Sequence, residues 1–199
     1  KQMKMMICYW MIWRGLSNMV IIKYPFSVSF SDYPDNHSHA VVVYFLGCDH
    51  YCKGCHNPEL QNNANRPNGL ITLHHYELYN EIVRECNKHH TNKVVFSGGD
   101  CLSGDNMTTT QAVLSLLKNS YHDVCVYTGY NVEHLITISL CGFKYVKTNK
   151  YDINFKQIPS KNDRFMTLAS ANQCLYDEYF THIGTGTIYF DEYGDPKYV

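Results

Sequence analysis

Charge is scarce in this chain, and no stretch of it is dominated by one sign. Charged residues make up 18 % of the 199 residues and the formal net charge is −1. Lys and Arg are scattered, with no basic block. That balance excludes a broad electrostatic attraction to nucleic acid or to an acidic membrane surface. Long apolar runs are also missing. The segment Met5–Trp13 follows Lys4 but is too short to span a bilayer, and no A-x-A-like cleavage site follows it. There is no internal repeat and no low-complexity linker. The nine cysteines are an odd number in a long chain without an evident secretion signal, so a secreted disulfide framework is rejected and a reducing cytoplasm is expected. Residues 1–25 are read as an extension, with Met19 as an alternative start, and residues 26–199 as a single domain long enough to bury a core.

The apolar segments are short, rich in β-branched and aromatic residues, and separated by helical patterns. Val20–Ile22 and Ser27–Phe30 read as an N-terminal hairpin or edge strand. Ala40–Leu46 is a near-continuous apolar run, as expected of a strand buried on both faces. Thr72 is read as the N-cap of a helix running to about His89, with Leu78, Ile82, Val83 and Cys86 as its apolar stripe. Lys93–Ser97, Val124–Tyr127 and Phe143–Val146 read as strands. Helices are placed at Thr108–Asn119 and Val132–Leu140, the latter capped by Asn131. Beyond these the pattern is irregular through Thr167–Cys174, with a late strand at Thr187–Phe190. The alternation predicts a parallel sheet with helical crossovers.

Cys48, Cys52 and Cys55 follow the first buried strand in a C-x3-C-x2-C run. Three thiolates on one short loop suit a cubane [4Fe-4S] cluster, which normally takes four cysteines. A loop offering three leaves one iron free for a small molecule. The rival is a Cys3His zinc site completed by His50 or His56. Structural zinc usually joins two short hooks separated by a longer stretch, and no second hook is present. The turn Gly98-Gly99-Asp100 ends the next strand; its glycines allow close backbone approach and φ > 0, and its carboxylate suits an amino partner. Thr128-Gly129 and Lys147-Thr148-Asn149 end later strands. All four motifs thus fall on the C-terminal edge of the strands, where α/β barrels assemble their sites. Cys8, Cys86, Cys125, Cys141 and Cys174 are read as small core hydrophobes.

The C-x3-C-x2-C run followed by Gly-Gly-Asp one βα unit later resembles the radical S-adenosylmethionine (SAM) superfamily. Gly47-Cys48, Cys52-x-Gly54-Cys55-x-Asn57, Ser31-Asp32-Tyr33-Pro34, Cys55-His56-Asn57-Pro58-Glu59-Leu60, Tyr127-Thr128-Gly129-Tyr130 and Leu168-Ala169-Ser170-x-Asn172-Gln173 narrow the resemblance. Together they are similar to the activating proteins of anaerobic (class III) ribonucleoside-triphosphate reductases, over roughly Phe26 to Tyr176. The resemblance implies an open, truncated (β/α) barrel of parallel strands. It implies a [4Fe-4S] cluster on Cys48, Cys52 and Cys55, and SAM bound by Gly98, Gly99, Asp100, Thr128, Gly129 and Asn172. The implied activity is reductive cleavage of SAM and formation of a glycyl radical on the large reductase subunit, with a flavodoxin or ferredoxin as electron donor. Activation of another glycyl-radical enzyme, such as pyruvate formate-lyase, is the alternative within that class, and a zinc-binding module without catalysis the alternative outside it. The resemblance leaves Lys147 to meet a carboxylate or solvent, and His50 and His56 to tune the cluster or face solvent. Cys101 stands where the family usually has proline and is read as a neutral substitution in the turn.

Overall fold

A computed structural model describes residues 19–61, 67–104 and 106–198 of the chain. The expectations placed on residues 1–18, Cys8 among them, lie outside the described residues. Val20 and Ile22, read from sequence as a strand but placed within the extension, are buried at 2 % and 0 % exposure. They belong to β1 (Met19–Ser29) and are part of the folded domain.

Four strands form the parallel centre: β2 (Ala40–Phe45), β4 (Lys93–Gly98), β5 (Asp123–Tyr127) and β6 (Tyr145–Thr148). They are connected through α1 (His75–Lys88), α2 (Asn106–Asn119) and α3 (Val132–Thr137). The sheet is mixed. β1 pairs antiparallel with β2 and with β3 (Leu70–His74), and β9 (Cys174–Asp177) pairs antiparallel with β6 and with β10 (His182–Thr185). The order β10-β9-β6-β5-β4-β2-β1-β3 gives eight strands with β10 and β3 at its ends. Parallel pairing is confined to the centre, which is where the sequence carries buried, β-branched runs.

Strand period places the core on two sides. Val41, Val43, Phe45, Val94, Phe96, Val124 and Val126 pack with Leu78 and Ile82 of α1 and Leu114 and Leu117 of α2. The alternate positions Val42, Val95, Cys125 and Tyr145 pack with Met166, Leu168, Leu175, Ile183 and Ile188. Met166 and Ile188 come from a second, three-stranded sheet, β11 (Thr187–Tyr189), β8 (Phe165–Thr167) and β7 (Ser160–Lys161). Among the described residues, no helix is long and apolar enough to cross a membrane.

Several boundaries differ from the sequence reading; β6, for one, covers Tyr145–Thr148 and not Phe143–Val146. Thr72 is not a helix cap; it lies in β3, paired with Ile21. The alternation in Leu70–His74 satisfies the free edge of β1, and α1 starts instead at a capping box in which the His74 amide donates to Glu77 Oε2 at 2.7 Å. Helix α3 does start at the expected cap, where Asn131 Oδ1 accepts from the His134 amide at 3.0 Å. It ends at Thr137, because Ser139 takes a positive φ of 55°. Cys86 and Cys125 are core residues as expected, whereas Cys174 is only partly buried and Cys141 is disulfide-bonded.

Candidate active site

The C-terminal ends of β2, β4, β5 and β6 open into one cleft of about 630 Å³. Cys48, Cys52, Cys55, Gly98, Gly99, Asp100, Thr128, Gly129 and Lys147 all line it. Of the nine site residues expected for cluster and SAM, eight are brought together. The exception is Asn172. It does not line the cleft, because its Oδ1 accepts from Ser170 Oγ (2.7 Å) and its Nδ2 donates to the Lys150 carbonyl (2.9 Å). Its neighbour Gln173 faces the cleft instead.

The cysteine loop leaves β2 through Gly47, whose φ of 101° few residues other than glycine adopt. The Gly47 amide donates to the Leu60 carbonyl at 2.8 Å, which closes the loop at its base. Within the loop, Tyr51 and Gly54 take positive φ values of 51° and 72°, and the Cys55 amide donates to the Cys52 carbonyl at 3.2 Å. All three thiols are free of disulfides; Cys48 is buried and the other two are half-buried. Burial pushes the Cys48 thiol up to about 11, against a backbone N–H from His50 that favours its thiolate. Burial also raises the Cys52 thiol, opposed by a backbone N–H from Tyr151 and by the charge of Lys150. Amide donors on sulfur are the kind of groups that tune an iron–sulfur centre.

The three thiols on one loop are the donor type of an iron–sulfur group, and both histidines offered as a fourth zinc ligand have other partners. A tetrahedral zinc with Zn–S bonds of about 2.3 Å requires sulfurs within about 4 Å of one another. Among the described residues, no group of three or more His, Cys, Asp or Glu could hold a metal ion. His50, one candidate fourth ligand, is turned toward Asp100 (Nε2 to Oδ2, 2.8 Å), and His56 packs on the Tyr151 ring at 5.2 Å. Three free thiols lining one cleft are the donor type that an iron–sulfur cluster takes.

The glycines after β4 serve the chain itself. A Cβ on Gly98 would lie 2.7 Å from the Phe45 nitrogen, and one on Gly99 would collide with the Gly47 carbonyl. The Gly99 amide donates to the Phe45 carbonyl (2.8 Å) and the Asp100 amide to the Gly47 carbonyl (2.7 Å). The absence of a side chain at both positions admits the backbone at the base of the cysteine loop, and both glycines still line the cleft.

Asp100 is 1 % exposed. Its Oδ2 accepts from His50 Nε2, Thr128 Oγ1 and the Gly129 amide, each at 2.8 Å, and its Oδ1 accepts from the Leu102 amide at 2.9 Å. Thr128 Oγ1 also accepts from the Tyr130 amide at 3.2 Å. The carboxylate and hydroxyl read from sequence as ligand contacts therefore converge on each other. Cys101 is fully buried behind the turn, and burial holds its thiol well above the ordinary range.

Lys147 is half-buried at the end of β6, with its ammonium 3.8 Å from the Tyr127 ring centre. It forms no ion pair among the described residues. Burial lowers its pKa to about 8. Asp32, Tyr44 and Tyr127 complete this end of the cleft, and the Tyr127 hydroxyl donates to the Asp32 carbonyl. Tyr44 escaped the sequence reading because an aromatic residue in a buried strand carries no sign of which end opens to a cleft.

Residues 38–175 match the model of a family described as a 4Fe-4S single cluster domain. Over 141 residues the chain is 28 % identical to the anaerobic ribonucleoside-triphosphate reductase-activating protein of Enterobacteria phage T4. That alignment takes in 68 % of this chain and 82 % of the phage protein. No solved structure matches the chain.

Proposed function

The chain belongs to the 4Fe-4S single cluster domain family, and on that premise we propose that it is a radical SAM enzyme that activates an anaerobic ribonucleoside-triphosphate reductase. The observation that carries the reading is the convergence of Cys48, Cys52 and Cys55 with the turns after β4, β5 and β6 on one cleft. The name of the phage relative supplies the partner. In this reading the four parallel strands are the truncated, open form of a (β/α) barrel.

Cys48, Cys52 and Cys55 would hold the [4Fe-4S] cluster, leaving one iron without a protein ligand. When bound, the cluster would supply one electron to the sulfonium of SAM, breaking the carbon–sulfur bond to give methionine and a 5′-deoxyadenosyl radical. The chain's own residues hold and orient. The amides of His50 and Tyr151 support the sulfurs. Gly98, Gly99, Thr128 and Gly129 form the wall against which SAM would lie. Lys147, which lines the cleft and forms no ion pair among the described residues, would meet its carboxylate, a charge-assisted contact of the stronger kind. The open mouth would admit a glycine loop of the reductase, whose Cα–H bond the adenosyl radical breaks to give 5′-deoxyadenosine and the glycyl radical. A reduced flavodoxin or ferredoxin would return the electron.

The test is anaerobic reconstitution with iron and sulfide, followed by reduction in the presence of SAM. Release of 5′-deoxyadenosine is expected, and a glycyl-radical signal by electron paramagnetic resonance once the large reductase subunit is added. Reduced protein that binds four irons yet cleaves no SAM would overturn the proposal. A radical raised on pyruvate formate-lyase but not on the reductase would reassign the partner.

A further inference from the structure

His50 lies midway between two of the cluster cysteines, and its side chain turns away from solvent, with 6 % exposure. Its ring meets Tyr130 edge-on, with centroids 4.6 Å apart and an interplanar angle of 76°. On another side it lies so close to Gly129 that a Cβ there would fall 2.7 Å from His50 Cγ and closer still to Cδ2. Gly129 has no positive φ. The backbone therefore does not demand glycine at that position; the imidazole does. At its tip the ring donates to the Asp100 oxygen that also takes Thr128 Oγ1 and the Gly129 amide. One carboxylate thus ties the cysteine loop to the turns after both β4 and β5, while the backbone N–H of the same histidine points at the Cys48 sulfur.

We infer that His50 is a positioning residue that clamps the cysteine loop to the strand-end turns, with Asp100 as its acceptor and Gly129 as the space that admits it. The clamp fixes where Cys48 presents its sulfur relative to the wall formed by Thr128 and Gly129. It also accounts for the near-complete burial of Asp100, whose oxygens are occupied by the chain. The inference rests on the cluster reading for its purpose, but the clamp belongs to the chain and is measurable without iron.

The experiment compares H50A, H50Q, H50F, G129A and the H50A/G129A double variant with the wild-type chain, each checked for fold by circular dichroism. In the iron-free, reduced protein, alkylation of Cys48 by iodoacetamide is followed by mass spectrometry. Loss of a buried, charge-assisted hydrogen bond is expected to speed alkylation about tenfold in H50A and in G129A. H50F keeps the ring and loses the donor; it is expected to behave as H50A, and takes its place if H50A does not fold. H50Q, whose amide can donate to the same carboxylate, is expected to stay within about twofold of wild type. The double variant is expected to react no faster than H50A, because the ring that G129A would strike is already gone. In reconstituted protein, H50A and G129A are expected to give up iron to a chelator at about 10–100-fold lower chelator concentration. Wild-type rates in H50A and H50F, or a G129A effect that simply adds to that of H50A, would overturn the clamp. If the wild-type chain takes up no iron, the cluster reading falls, and the alkylation rates still decide the clamp.

Discussion

The carbonyl oxygen of Gly47 occupies the place where a side chain on Gly99 would begin, and it accepts the Asp100 amide at 2.7 Å. Two loops that carry the site's chemistry are therefore in backbone contact. A G99A substitution overpacks this contact and is expected to cost about 1–3 kcal/mol. For a chain of this size that is a fall in melting temperature of about 2–12 °C. Differential scanning calorimetry measures it, and an unchanged melting temperature would contradict the packing described.

On the proposed reading, each of the three cysteines lining the cleft would be a ligand of the cluster. C48S, C52S and C55S are each expected to lose the brown colour and most of the iron after reconstitution. C101A removes a thiol that faces the core and not the cleft. It is expected to keep full iron content and to lose about 1 kcal/mol of stability. Iron analysis of the four variants separates ligand from core sulfur.

Lys147 gives the cleft a pH dependence. Its pKa is lowered by burial to about 8, so the ammonium is charged below that value and lost as pH rises through it. Affinity for a carboxylate-bearing ligand such as SAM is expected to fall across that range, and to fall about tenfold or more at neutral pH in K147M. The sign for stability is opposite. Between about 8 and the ordinary lysine value of 10.5, the unfolded chain binds more proton at this side chain than the folded one. Lys147 therefore contributes more favourably to stability as pH rises through that window. Equilibrium dialysis of SAM against pH, in wild type and K147M, checks the first statement. A K147M profile that still falls through the same range would reject it.

At the centre of the sheet, Phe45 and Phe96 meet edge-on at 5.2 Å, and both are fully buried. F96A is expected to cost about 3–5 kcal/mol through the cavity it leaves. Urea unfolding measures this, and a loss below about 1 kcal/mol would show the core to be less tightly joined than described.

The parts most legible in the sequence were those fixed by local chemistry. Ala40–Phe45 announced a strand buried on both faces because nearly every position is apolar. The C-x3-C-x2-C spacing and the Gly-Gly-Asp turn marked the strand ends that meet at the cleft. Residues whose state depends on distant partners were less readable. Thr72 resembles a helix cap, and only the pairing of β3 with β1 makes it a strand residue. The stretch from Ser160 to Thr185 reads as irregular because its strands are two to four residues long, too short for a period to show. Asp100 was read as a ligand group and does line the cleft, while nothing in its own neighbourhood reveals that His50, 50 residues earlier, reaches it.

The short sheet of β7, β8 and β11 places Ser160, Lys161, Met166 and Thr167 on the wall of the cleft, well away in sequence from the sulfur-bearing loop. On the proposed reading, reactive chemistry and admission to it would be written on different stretches of chain. Substitutions along that outer wall would then retune which polypeptide enters while the cysteine loop stays as it is, so recognition of a new partner need not disturb the electron transfer it would depend on.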